Sequence, residues 1–520
     1  DWRGFESIVD VTAGDKHVLA VLGNGTVWGM GSNSHYQLGL TDQKLRDLEK
    51  LPAPYTYPYS SPDEYIRKVG LFSQIDSLAA HKVTSVASGS VHSLALTDQG
   101  QIFITGNNRF LQVGASTNRT SLTQFTPLAV STPPKWVELQ TTNGSFIPVT
   151  TRTEQDPSFF VPVKVSAIGA GNEFTILVGE STPFVVLEYV NETYSVYGLP
   201  NTTSPTVSNV SGTTNTTSAS PSMSPSPFPT SAPSVNGTSN SPTYAPSSQP
   251  TLAPSRAPTI VRTMTRVVEV NRTGWSTPVF AFGQVFGSNY DPGKLKNPLS
   301  RVLGLAGVNI TQVAAGNAHV LLLASDGRLY GWGRASEGQL GLGRVSPDAF
   351  QPTLIEGPLK GKKVWKIAAG DYHSLAVTVP DGELWCWGRN SDGQCGIESA
   401  TRLFSPTRVP REAFGFSSFP REISAGPLST FVVDFRGVVY SFGWNIEKQM
   451  GLPGNHYTTP HRVQSPVADV AIQHVAVGSH VAILSTISTS TSCDLDCGNH
   501  GGCYSQGQCT CSPLWHGKGC

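Results

Sequence analysis

The chain has 520 residues, 38% of them hydrophobic, and its 36 Lys and Arg balance 36 Asp and Glu, with charged residues only 14% of the total. The zero balance removes the basic surplus that binds nucleic acid or anionic membranes, and no run reaches the 18 or more apolar residues of a membrane helix. A chain this long exceeds one compact core, and with 52 Gly and 38 Pro it reads as a turn-rich, glycosylated, all-β protein of several units.

Read in order, the chain repeats one phrase. Residues 13–39, AGDKHVLAVLGNGTVWGMGSNSHYQLG, hold an Ala-Gly pair, an apolar run, a short turn and a second run. Two such runs across a short turn form a β-hairpin. Residues 88–114, 315–341, 369–396 and 425–451 restate the phrase. The first Gly and the Gly closing the second run are 17 apart in four copies (14 to 31, 89 to 106, 316 to 333, 426 to 443) and 18 apart in another (370 to 388). Tyr330 and Trp332 share one strand face, and Gly331 between them faces the other way, where something must approach closely.

The third copy is interrupted. It starts at Val163, and its partner strand, with Phe280, Phe282 and Gly283, arrives only after residues 180–275. From Asn201 to Thr259 this insertion is almost wholly Ser, Thr, Pro, Asn, Ala and Gly, with Arg256 its only charged residue. It has too little apolar surface to offset ordering entropy, and the expectation is an O-glycosylated stalk. Its flanks, Phe184 to Tyr197 and Ile260 to Val270, are β-prone and are expected to pair as an arm. Residues 115–162 read as a polar, Pro-bearing insertion. A seventh copy begins at Val475 and stops at Ser485 without a second hairpin strand. Repeats thus lie near 8–40, 83–114, 163–179 with 278–287, 308–343, 363–397, 421–452 and 467–485. A linker, 486–492, leads to a separate module, 493–520. The start at Asp1, without a signal peptide, is the expectation for a mature, processed chain.

Six of eight Cys fall in the last 28 residues, a segment too short for a core, so disulfides are expected to hold it. The order CDLDCGNHGGCYSQGQCTCSPLWHGKGC resembles an epidermal growth factor-like module. That resemblance implies the pairs Cys493–Cys503, Cys497–Cys509 and Cys511–Cys520. The other two, Cys386 and Cys395, occupy slots held in other copies by small and by apolar residues. They read as small hydrophobes or, in an oxidising compartment, as a pair. Asn-x-Ser/Thr sequons occur at Asn24, Asn118, Asn143, Asn191, Asn201, Asn209, Asn215, Asn236, Asn271 and Asn309. Their clustering around the insertion, with the Cys-rich end, points to the secretory route.

The pattern Ala-Gly-x-x-His-Ser-Leu-Ala, Gly-x-Leu-aromatic-x-Trp-Gly, Gly-Gln-Leu-Gly resembles the regulator of chromosome condensation repeat over residues 8–485, insertions aside. The resemblance implies a seven-bladed β-propeller (residues 1–485) of four-stranded blades, with Gly31, Gly106, Gly283, Gly333, Gly388 and Gly443 at one repeated position. Short strands and a period in the fifties agree. Members of that family usually complete the last blade with N-terminal strands. Only DWRGFESIVDVT precedes the first Ala-Gly, which leaves three explanations: missing upstream residues, an incomplete blade, or a strand donated by another chain.

His17, His92, His319 and His373 recur once per copy, and their expected role is hydrogen bonding at blade junctions rather than metal binding. Asp15 and Asp371 share one slot, beside Asn172 and Asn317; they read as a polar rim, with an acid/base pair as the rival. No nucleophile elbow, phosphate loop or His-Glu-x-x-His is present. No catalytic residue, metal or cofactor is expected. The reading is a non-catalytic, secreted or cell-surface structural or adhesive glycoprotein. Its partners would be other extracellular proteins or copies of itself, with N- and O-linked glycans and no nucleic acid. Phrases such as SPSPFPTSAPS resemble the stalks of algal surface proteins, which implies a flagellar hair or similar filament as one setting. A soluble binder or inhibitor of a single protein is the alternative, and a glycan-active enzyme a remote one.

Overall fold

The computed structural model describes residues 7–40, 43–45, 68–114, 120–132, 136–140, 146–148, 161–196, 260–283, 300–343, 347–398, 400–414, 419–463, 471–479, 482–486, 501–504 and 508–511. Asn118, Asn143, Asn201, Asn209, Asn215, Asn236, Cys493, Cys497 and Cys520 lie outside these residues, as does nearly all of the 486–492 linker. Asn191, Asn271, Cys503, Cys509 and Cys511 fall in strands described by their backbone. The chain divides into two compact units, Asp1–Tyr189 with Val268–Cys520, and Val190–Val267.

The first unit is an all-β propeller with six four-stranded blades rather than seven. Blade one is Ile8–Ala13, His17–Leu22, Val27–Ser32 and Lys68–Gln74. Blade two is Val83–Ser88, His92–Thr97, Ile102–Asn107 and Ser121–Leu128. Blade three is Val165–Ala170, Phe174–Gly179, Val279–Gly283 and a two-residue outer strand, Ser300–Arg301. Blade four is Ile310–Ala315, His319–Ala324, Leu329–Gly333 and Ala349–Leu354. Blade five is Lys363–Ala369, His373–Val379, Leu384–Arg389 and Arg402–Arg408; blade six is Pro420–Ala425, Ser429–Asp434, Val439–Trp444 and His456–Arg462. The last copy forms only a two-stranded sheet, Ile472–Val477 with Ala482–Thr486. The expectation of seven full blades fails because no further strand joins this sheet among the described residues.

Position within the blade explains composition. Second strands have a blade on either side, so His17–Leu22, Phe174–Gly179 and His319–Ala324 are buried at every residue and read as continuous apolar runs, not alternations. Outer strands are polar and half-exposed, and Pro406 sits in one, where its missing N–H interrupts no ladder. Apolar clusters join neighbouring blades: Phe174, Ile176 and Val178 of blade three pack with Val320, Leu322 and Trp332 of blade four. Burying each such side chain contributes about 1.5–3 kcal/mol. Every inner strand, the two-stranded sheet's included, shifts register once near its start, as between Ile8 and Asp10 or Ile472 and His474. Such bulges suit edge strands, and here the edge faces the central axis.

The interrupted hairpin is intact. Phe174–Gly179 pairs with Val279–Gly283 as though nothing stood between them. The insertion's flanks form long strands, Thr182–Val196 and Ile260–Ser276. These are neighbours in a second sheet, which Trp136–Gln140 joins by pairing in parallel with Phe184–Glu188, followed by Phe146–Pro148. Residues 115–162 thus supply strands that their polar composition did not announce. In the C-terminal segment, Gly501–Tyr504 and Gln508–Cys511 form an antiparallel pair with Cys503 opposite Cys509.

Candidate functional site

Four buried histidines link the blades. His17 Nε2 lies 2.8 Å from Ser93 Oγ, His92 3.0 Å from Thr175 Oγ1, His319 2.9 Å from Ser374 Oγ and His373 2.9 Å from Thr430 Oγ1. Each hydroxyl donates its only proton to a backbone carbonyl of the histidine's own blade: Gln37, Gln112, Gln339 and Gln394, at 2.7–2.9 Å. The hydroxyl must therefore accept from the imidazole, which fixes the Nε2–H tautomer. Each Nδ1 is buried without a hydrogen-bond partner. Burial pushes His17, His319 and His373 down to about 3 and His92 to about 4, so all four are neutral. A neutral imidazole with one nitrogen tied to a neighbouring blade is a latch, not a base or a metal ligand.

The hydroxyl partner follows the His slot of the next blade: Ser93, Thr175, Ser374, Thr430. Blade three has Phe174 in place of His, and the residue it meets is Val320. Polar pairs with polar and apolar with apolar, a correlation present in the sequence that reading each copy alone does not expose.

Seven Ala-Gly or equivalent corners meet at one end of the axis. A Cβ at Gly14 would strike the carbonyl of Gly89; at Gly89, that of Gly171; and so on through Gly316 and Gly370. At Gly426 it would meet Val477 first, with the Gly478 carbonyl at 3.2 Å, and Gly478 closes on the carbonyl of Gly14. Only glycine permits this approach. The ring therefore has seven positions, the last filled by the two-stranded sheet. That sheet is held to blade six by Arg421 Nη2, which donates to the carbonyls of Ile472 and Gln473 at 2.6 and 2.7 Å. It is held to blade one by Ser479 Oγ, 3.1 Å from Asp15 Oδ1.

These corners line a cavity of about 170 Å³, into which Asp15, Asn172, Asn317 and Asp371 are gathered. Ser90 Oγ also donates to Asp15, at 2.5 Å. Burial, and then the charge of Asp15, push Asp371 up to about 6. The two carboxylates share one chamber, and the serine hydroxyls occupy Asp15 as a structural acceptor. Among the described residues no three His, Cys, Asp or Glu side chains converge as a metal site.

The repeated glycines sit where a side chain cannot. Gly31, Gly106, Gly283, Gly333, Gly388 and Gly443 have φ between +90° and +109°. A Cβ on Gly333 would lie 2.5 Å from the Ala318 carbonyl oxygen. Gly331 faces Ile355 and Leu340, and Gly29 faces Leu19 and Leu38. In blade five the same two slots hold Cys386 and Cys395, which form a disulfide with Cα atoms 5.4 Å apart. A covalent bond thus replaces a Gly–Leu contact.

A family profile described as the regulator of chromosome condensation (RCC1) repeat matches residues 24–96, 326–377, 381–433 and 436–484. A second profile of the same repeat matches residues 8–37, 83–112, 310–339 and 366–394. The chain is 31% identical over 199 residues to the ultraviolet-B receptor UVR8 of Arabidopsis thaliana, covering 38% of this chain and 42% of that protein. It is 36% identical over 155 residues to the probable E3 ubiquitin-protein ligase HERC3 of Homo sapiens, covering 30% of this chain and 14% of that one. The chain therefore spans less than half the length of these relatives. Among solved structures, Prp20p from Saccharomyces cerevisiae is similar with a TM-score of 0.55 at 16% identity, covering 92% of this chain and 82% of that one. Human WBSCR16 is similar with a TM-score of 0.54 at 18% identity, covering 93% and 88%. By repeat sequence and by fold, the chain carries RCC1 repeats and is an RCC1-like β-propeller.

Proposed function

We propose that this chain is a non-catalytic, secreted or cell-surface glycoprotein whose propeller binds protein partners within an extracellular assembly. The observation that carries this reading is the two-stranded sheet, whose Ala482–Thr486 strand has no third-strand partner among the described residues. In six blades a third strand covers the second. In the seventh position Ala482, Ile483 and Leu484 stay partly exposed, whereas His319–Ala324 and its counterparts are buried throughout. An edge of unpaired backbone groups beside apolar side chains accepts an added strand, from a second copy or another protein. The sheet is then an unfinished seventh blade.

The Cys386–Cys395 disulfide supports an oxidising compartment. In the same reading residues 493–520 are an epidermal growth factor-like module, and the insertion is an O-glycosylated stalk. The Prp20p structure is described with binding to Gsp1p and histones, and UVR8 as a receptor. The general role of a binding platform carries over from them, not their partners.

Light scattering of the native protein over a concentration series, with hydrogen exchange across Ala482–Thr486, tests the reading. Self-association or complex formation that protects this strand is the expected result. A strict monomer whose edge is already protected overturns it, and a monomer with one tight partner on a propeller face fits the soluble-inhibitor reading instead.

A further inference from the structure

Two sequons stand on described, exposed positions of the propeller, and both lie at the same end of it. The hairpin turns between second and third strands are at the end opposite the glycine ring, as are the starts of the inner strands. Asn24 occupies the turn of blade one, with Gly25 at φ +85°. Asn309 immediately precedes the inner strand of blade four and is also exposed. The insertion leaves blade three from this end too, at the turn following Gly179. Ser181 Oγ lies 3.5 Å from Asn309 Oδ1, so Asn309 stands at the insertion's base.

The local chemistry separates the two ends of each amide. Asn24 Oδ1 accepts from Thr26 N at 2.9 Å and from Thr26 Oγ1 at 2.7 Å. The sequon's own hydroxyl thus engages the amide oxygen of an exposed residue and does not occupy Nδ2. At Asn309 the contact with Ser181 again uses Oδ1. Neither Nδ2 makes a hydrogen bond among the described residues.

We propose that Asn24 and Asn309 are N-glycosylation sites, which makes the end carrying the insertion a glycan-bearing face of the propeller. This rests on the secretory reading above. In the reaction, Nδ2 attacks the anomeric carbon of a lipid-diphosphate-linked oligosaccharide. A carbon–nitrogen bond forms, the carbon–oxygen bond to phosphate breaks, the lipid diphosphate leaves with the bonding pair, and the amide gives up one proton.

The test uses the full chain, secreted from a eukaryotic host behind a cleavable signal sequence. Enzymatic deglycosylation in heavy-oxygen water converts each glycosylated Asn to a labelled Asp, read by peptide mass mapping. The expected result is label at both Asn24 and Asn309. Asn24→Gln and Asn309→Gln should each remove one glycan's mass from the intact protein, and Thr26→Ala should abolish label at Asn24 alone. A secreted chain with an intact Cys386–Cys395 disulfide and unlabelled Asn24 or Asn309 overturns the proposal. The secretory reading fails separately, if Cys386 and Cys395 are reduced in protein from its native source.

Discussion

Acid should loosen this propeller through its four latches, and His319→Gln isolates the contribution of one. An unfolded histidine titrates near 6.5, whereas burial holds His319 at about 3. Between those values the unfolded chain binds a proton that the folded chain refuses. Stability is therefore complete above about pH 6.5 and is lost as pH falls toward 3. At pH 5 the difference is about 1.5 pH units, or about 2 kcal/mol for each histidine. His17, His92 and His373 share the geometry, so the four together remove about 8 kcal/mol, comparable to the whole stability of many domains. Urea midpoints measured from pH 7.5 to 5 should fall steeply for the parent chain. For His319→Gln the fall should be shallower by about 2 kcal/mol over that range, whatever the substitution costs at neutral pH. Equal pH slopes in the two proteins would refute both the neutral Nε2–H tautomer and the latch.

Three further outcomes follow from the same contacts. Gly333→Ala should lower stability by about 1–3 kcal/mol through backbone strain, with collision against Ala318 adding to it. Gly357→Ala, at φ +57° with nothing within 4 Å of its Cβ, should cost about 1 kcal/mol or less; thermal melts compare them. Breaking the Cys386–Cys395 bridge with Cys395→Ser should cost about 2–3 kcal/mol. The double change Cys386→Gly with Cys395→Leu, which restores the pair found in blade four, should give a propeller whose melting no longer responds to reductant. Asp371→Asn should stabilise the protein at pH 7.5 by about 3 kcal/mol and leave it nearly unchanged at pH 4. A carboxyl raised to about 6 by burial and by Asp15 loses stability as pH rises from about 4 to 6. Denaturant midpoints at the two pH values check it.

Much of the fold was legible because its constraints are local and recur. A glycine forced to φ near +100° returns at Gly31, Gly106, Gly283, Gly333, Gly388 and Gly443, and the fixed offset between glycines marks each hairpin even across the insertion. The Cys386 and Cys395 slots, filled elsewhere by residues such as Gly331 and Leu340, read only as small and apolar, with a pair as one alternative; that the two slots touch is visible in the structure. What stayed hidden depends on distant partners. Trp136–Gln140 finds its parallel neighbour in Phe184–Glu188, from a different blade's insertion, and neither segment's composition names the other. The channel end was foreseen as a polar rim, but its closure by seven glycine corners requires positions hundreds of residues apart to meet.

That closure gives the ring a seam. Each of blades one to six takes its strands in sequence, blade three from either side of the insertion, so none of the six borrows a strand from the other end of the chain. The last joint is made by Gly478 against Gly14 and by Ser479 with Asp15, residues separated by 464 positions. In kinetic terms it is the costliest loop to close and the contact that gains least from local structure. In mechanical terms it is the joint that no connecting chain segment bridges: tension between the propeller's first and last strands is borne by the packing of Ile8–Ala13 against Ile472–Val477 and Ala482–Thr486 together with these contacts. A strand added at Ala482–Thr486 would stiffen the sheet beside that joint, so that occupancy of the outer edge is felt at the axis.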